Sequence, residues 1–151
     1  MKKILLLFVF AISVVALNAQ GRHAFGVELN QGYGAGGTAF GFGVKYHHFF
    51  NDDWRATGSV RYQFAGENIL NIDANINYLF EVGTSGLDIY PLAGIGSFKR
   101  FGHDSYSRFM INLGAGVDYA LTDNWYLNGE IKLGFFDKVR ETVAVGIMYR
   151  F

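Results

Sequence analysis

The chain has no cysteine and a single proline, and its charges cancel, with 13 Lys and Arg against 13 Asp and Glu over 151 residues. Each absence excludes something. Without cysteine there is no disulfide, no thiolate zinc site, no thiol nucleophile and no lipid-modified N-terminal cysteine. One proline rules out a proline-rich linker. A balanced charge and a pI near 6.9 leave no electrostatic case for a nucleic-acid partner. No apolar run reaches the about 20 residues that a membrane-spanning helix needs. The length allows one domain. What the chain does have is 17% aromatic residues and 20 glycines, a pairing that fits neither a disordered segment nor an ordinary helical domain.

The N-terminus reads as a removable leader. Met1-Lys2-Lys3 is basic, and Ile4 to Leu17 is apolar except for Ser13. A basic start, a short apolar core and a small-residue end describe a secretory signal. Cleavage after Ala19 divides the chain into a signal peptide, 1–19, and a domain, 20–151. Cleavage after Ala16 and retention as an uncleaved anchor remain open alternatives.

Beyond Gln20 no segment keeps helical spacing for three turns, but period-two alternation recurs throughout. Strands are expected at about 22–30, 38–50, 54–64, 70–80, 87–97, 109–121, 125–136 and 139–151. Breaks rich in Asn, Asp and Gly separate them, residues that bond the local backbone or tolerate positive φ. One face is almost wholly apolar, as in Phe40, Phe42, Val44 and Tyr46, or Val143, Val145, Ile147 and Tyr149, with Glu141 its only carboxylate. The other carries the charges and amides, padded by Gly26, Gly41, Gly43, Gly114, Gly116, Gly134 and Gly146.

Composition orients these faces. Glycine weakens a solvated strand without return, but makes room inside a narrow barrel. Rings gather at the ends of the apolar face, at Phe49, Phe50, Trp54, Tyr119, Trp125 and Tyr149, with Phe151 closing the chain. Of these, Phe50, Trp54, Tyr119, Trp125 and Tyr149 form the expected girdle. Aromatic girdles around a lipid-facing band mark a transmembrane β-barrel. Spanning strands take about 9–11 residues, and lipid forbids an open sheet edge, so the sheet must close. The expected fold is all-β, an eight-stranded antiparallel up-and-down transmembrane β-barrel. Pro91 lacks a ladder donor, and a bulge or offset start is expected near Tyr90-Pro91. The rival architecture is a secreted lipocalin-like barrel, in which the apolar face would line a ligand calyx.

The whole segment after the leader resembles the small eight-stranded outer-membrane barrels of the OmpX and OmpA-barrel type, the porin-family outer membrane proteins of Gram-negative cells. Gly146, Tyr149 and the terminal Phe151 resemble the C-terminal signal read by the family's outer-membrane insertion machinery, although Ala144 stands where a polar residue is usual. Asn51-Asp52-Asp53-Trp54 and Thr122-Asp123-Asn124-Trp125 look like the family's short periplasmic turns. The resemblance implies residence in the outer membrane after export to the periplasm. It also implies contact with membrane lipid and lipopolysaccharide, a monomer, and both termini in the periplasm.

The lumen would then hold Glu28, Asp73, Asp88, Asp118 and Glu130 against Lys45, Arg55, Arg61, Lys132, Arg140 and Arg150. An eight-stranded interior is filled by side chains, and open aqueous channels appear at about 16 strands. The expected role is a plugged barrel for structure or surface interaction, with a narrow ion or solute path as the alternative. Among outside loops, 98–108 has the most reach, and its Lys99, Arg100 and Arg108 are candidates to bind lipopolysaccharide phosphates or an acidic partner. No catalytic, metal or cofactor site is expected. His103, Asp104 and Ser105 are neighbours that cannot aim at one another as a triad must. His47 and His48 fall on opposite faces. A lipid-A-modifying enzyme is therefore the weaker alternative.

Overall fold

The structure, a computed structural model, describes residues 22–34, 37–64, 66–102 and 105–151. The leader expected at 1–19 and the loop residues His103 and Asp104 lie outside them. Nine strand segments follow in order: β1 (His23–Gly34), β2 (Gly37–Phe49), β3 (Trp54–Phe64), β4 (Ile69–Tyr78), β5 (Phe80–Glu81), β6 (Leu87–Arg100), β7 (Tyr106–Ala120), β8 (Trp125–Phe135) and β9 (Val139–Arg150). Each long strand pairs antiparallel with its chain neighbours. β1 also pairs with β9, so the sheet closes. Because β5 continues the line of β4 against β6, the wall is an eight-stranded up-and-down barrel.

Pro91 accounts for the break between β4 and β5. Asn77 stands opposite Leu92 and Phe80 opposite Ile89, so the register is the same on either side of the gap, and Tyr78 faces Pro91. Leu79 donates its N–H across to the Asp53 carbonyl at 2.7 Å, which turns Tyr78's own ladder groups toward the proline. Proline has no hydrogen to offer there. On its other side, β6 runs unbroken against β7 through Pro91↔Ala115. The expected bulge is therefore corrected to an interruption in the neighbouring strand with no change of register.

The alternation seats the polar face inside. Leu29 is 74% exposed and Phe109 62%, whereas His47 and Arg55 are completely buried. This overturns the lipocalin-like alternative, which needs the apolar face within. Phe50, Trp54, Tyr119, Trp125 and Tyr149 all stand on the outer wall. They belong to the end at which β1 begins and β9 finishes, called here the near end. Cross-strand pairs Trp54–Tyr78 and Trp125–Tyr149, each with ring centroids 4.9 Å apart, tie the girdle together. Phe49 corrects the expected ring cluster, because it is the last inward position of β2 and is only 7% exposed. At the opposite, far end, Phe40, Phe64 and Phe109 make a second exposed belt.

Turn chemistry closes the near end. The Asn51 side-chain oxygen accepts the amides of Asp53 (3.0 Å) and Trp54 (2.7 Å). Thr122 Oγ1 accepts that of Trp125 at 3.0 Å. Gly83 and Gly86, with φ of 65° and 67°, turn the chain into β6 in the left-handed region that glycine enters freely. The expected long loop 98–108 is shorter than the sequence suggests. β6 continues to Arg100 and β7 begins at Tyr106, so Lys99, Arg100 and Arg108 sit on strands.

Candidate functional site: the luminal charge network

Arg61, on the inward face of β3, is the hub. Its Nε donates to Glu28 of β1, its Nη1 to Asp73 of β4 at 2.5 Å, and its Nη2 to Glu130 of β8 at 3.1 Å. One guanidinium thus meets three carboxylates from three strands, a use of its fixed donor fork that a lysine cannot match. Lys45 of β2 lies 3.0 Å from Glu28 and 3.1 Å from Glu130, and donates to Asn128 at 2.7 Å. Lys132 donates to Asp73 at 2.5 Å. Three acids and three bases therefore neutralise one another, all of them buried.

Amides and a phenol extend the cluster toward the near end. Asn112 donates to Asp73 (2.9 Å) and Asn75 (3.0 Å). Asn128 donates to Tyr90 Oη and to Asp118, each at 2.6 Å. Asp118 accepts from Arg55, whose guanidinium lies 4.5 Å from the Tyr90 ring centroid. Closely spaced wall residues must be small to admit these groups. A Cβ on Gly43 would lie 2.9 Å from Arg61 Cγ, and one on Gly116 would strike the Tyr90 phenol.

Two apolar layers bound this polar centre. Toward the near end Ala24, Phe49, Leu79, Tyr90, Leu92, Tyr126 and Met148 form one buried cluster. Toward the far end Ala39, Ile69, Phe98 and Met110 form another, with Phe136 packed against it. Outside the near layer opens a vestibule of about 480 Å³ that reaches Asp88, Asp118 and Arg150. Outside the far layer lies a smaller pocket of about 180 Å³. Between them, the crevice beside Arg61, Asp73 and Lys132 is too narrow to admit a water molecule.

Of the eleven luminal charges expected from sequence, the structure brings eight into contact: Glu28, Lys45, Arg55, Arg61, Asp73, Asp118, Glu130 and Lys132. The other three stand apart. Asp88 lines the near vestibule, and Arg150 lies over the Phe49 ring at 4.5 Å from its centroid. Arg140 sits near the far end and donates to Gln63. Arg108 lies 3.7 Å from Asp137 and donates to the Ser107 carbonyl at 3.2 Å, and Arg100 lies 3.7 Å from Glu67. Lys99 faces outward and lies over Phe101 at 5.3 Å.

Sequence reasoning passed over Tyr90, Phe98 and the apolar layers. Extending each strand's inward parity to its ends finds Phe49, Met110, Tyr126 and Met148, and the parity of 87–97 finds Tyr90. At the C-terminus, Gly146 pairs with Glu28, and a Cβ there would come within 2.6 Å of the Val27 carbonyl oxygen. Tyr149 packs on Trp125, and Phe151 donates its amide to the His23 carbonyl at 2.9 Å. His47 Nδ1 lies 2.7 Å from Tyr126 Oη in the lumen, while His48 contacts His23 on the outside. Among the described residues no group of three His, Asp or Glu is arranged to hold a metal ion.

Solved structures share this architecture. The N-terminal β-barrel domain of Pseudomonas aeruginosa OprF superposes with a TM-score of 0.68 at 20% identity, covering 87% of this chain and 100% of that one. The attachment invasion locus protein Ail of Yersinia pestis gives 0.61 at 21% identity, over 85% and 96%. Neisserial surface protein A gives 0.61 at 17% identity, over 85% and 96%. At these identities the likeness is one of fold. No curated protein matches the sequence significantly. The sequence pattern that defines the outer membrane protein beta-barrel domain does match, over residues 4–151. With a closed barrel, a lipid-type exterior and a match over nearly its whole length, the chain belongs to the outer membrane protein β-barrel domain family.

Proposed function

We propose that the chain is a plugged, monomeric barrel of the Gram-negative outer membrane, with a structural or surface-interaction role in the envelope. In this reading residues 1–19 direct export and are removed after Ala19. Gly146, Tyr149 and Phe151 present the assembly signal to the insertion machinery, and the girdle of Phe50, Trp54, Tyr119, Trp125 and Tyr149 holds the barrel at the periplasmic interface of the lipid. The far end then faces outward, toward lipopolysaccharide.

The observation that carries the plug is the self-neutralised centre around Arg61, held between two apolar layers. A conducting lumen needs mobile water and charges free to exchange partners. Here each carboxylate of the centre is shared between cations from different strands. Sharing of that kind also fixes register, because a one-residue slip of any strand would turn its charges into lipid.

The test has two arms. Fractionated cells should yield the protein in the outer membrane, with heat-modifiable migration and an N-terminus at Gln20. Proteoliposomes of the refolded barrel should swell no faster than empty vesicles in an isotonic solution of arabinose. Swelling at a rate proportional to protein would reject the plug in favour of the narrow channel.

A further inference from the structure

The far mouth contains charges that the central network does not use. Arg140 of β9 is only 7% exposed, yet it meets no carboxylate among the described residues. Its Nη2 donates to Gln63, and its Nε has no partner. A buried guanidinium left in this state carries a large desolvation cost, because the described groups in direct contact with it are an amide and a ring. Arg140 lines the 180 Å³ far pocket together with Arg100, Arg108 and Lys138; among the described residues Asp137 is the carboxylate of its lining, and Glu67 stands 3.7 Å from Arg100.

The pocket is built rather than incidental. Tyr106 stands between two of the cations, with Arg100 5.7 Å and Arg108 5.3 Å from its ring centroid. The Phe98 ring lies under Arg140 at 5.6 Å. Arg100 Nε is likewise buried without a partner among the described residues. Gly34 leaves the wall beside Arg140 open, since even a Cβ there would approach no closer than 3.8 Å. Four cations around one small concavity, two with unused guanidinium donors, match a doubly charged tetrahedral oxoanion, which Arg recognises through paired N–H···O bonds. At about 30 Å³ per water molecule, the volume takes such an anion with a few waters.

We infer that the far mouth of the barrel is a binding site for a phosphate monoester, with Arg140 and Arg100 as its principal ligands and Arg108 and Lys138 at its rim. Relative to the sequence expectation, Lys99 leaves the site because it faces outward, and Arg140 and Lys138 join it. The inference rests on the barrel fold and not on the plug, so its failure and the failure of the plug are distinguishable.

The ligand's chemistry is common to free sugar phosphates and to lipid A headgroups, and the test separates them. The refolded barrel in octyl glucoside is titrated with inorganic phosphate and with glucose 6-phosphate by calorimetry, then challenged with octyl glucoside micelles containing lipid A. Both soluble probes should bind saturably at one per barrel, more weakly as salt is raised. Affinity should fall tenfold or more in R140Q and in R100Q, and change less than twofold in K99Q. Heat-modifiable migration reports the folding of each variant, and R100Q, altered at the mouth, serves if R140Q does not refold. Displacement of bound phosphate by lipid A assigns the site to a lipid headgroup; retention assigns it to a soluble ester. Absence of saturable binding, or equal affinity in all three variants, would overturn the site and give Arg140 a counter-ion from the chain itself.

Discussion

Arg61 and Arg140 are the same residue type, both inward-facing and both almost fully buried, yet the fold surrounds them differently. Arg61 meets Glu28, Asp73 and Glu130. Arg140 meets an amide and an aromatic ring. The centre of the lumen, remote from water, needs every charge matched from within the chain. A mouth can leave charge to be matched by something that arrives. On the proposed reading, the contrast separates a part of the barrel that holds itself closed from a part that meets another molecule.

The largest expected effect comes from breaking the matched side. Replacing Arg61→Met leaves three carboxylates to share Lys45 and Lys132, and should cost about 3–5 kcal/mol of folding free energy, the range for orphaning a buried charge. Urea titration of the barrel in lipid vesicles, followed by tryptophan fluorescence, measures it. A loss below about 1 kcal/mol would show the cluster to be indifferent to its hub.

A double-mutant cycle of Arg61→Gln and Glu130→Gln sharpens the point, with a coupling of about 0.5–3 kcal/mol expected for residues in one network. The same cycle between Arg140 and Glu130 should return a value near zero. Packing around the network comes next. Gly116→Val drives a side chain into Tyr90, and overpacking of this kind costs about 1–3 kcal/mol. Arg140→Met should have the smallest effect on stability, within about 1 kcal/mol, because one hydrogen bond to Gln63 is lost while an uncompensated charge leaves the interior. If Arg140→Met were as damaging as Arg61→Met, the two arginines would have to be regarded as parts of one structural network.

Much of this was legible in the sequence because a strand's period is two and lipid inverts the faces. Parity alone assigns Glu28, Lys45, Arg61, Asp73, Glu130 and Lys132 to one interior, and glycine on that face says the interior is narrow. Which charges meet was not legible, since it depends on the stagger between strands. Arg61 and Glu130 are 69 positions apart, and nothing local brings them together. Pro91 shows a similar limit. The missing donor was visible in the sequence, but its effect falls on Tyr78 and Leu79 of the neighbouring strand. Phe49 and Phe50 are a third instance: adjacent rings at a turn look alike until parity sends one into the lumen and the other to the lipid. Loop length was overread at 98–108 because charge and polar residues there resemble a loop, whereas the pairing of Arg100 with Tyr106 extends the hairpin beyond the lipid-facing band.

Planar-bilayer recording of the refolded protein tests the central claim most directly. A lumen neutralised around Arg61 and bounded by the Phe49 and Phe98 layers predicts a flat baseline in molar KCl, with no unitary current steps at either polarity. Steady, uniform current steps from the unmodified protein, scaling with salt concentration, would contradict it.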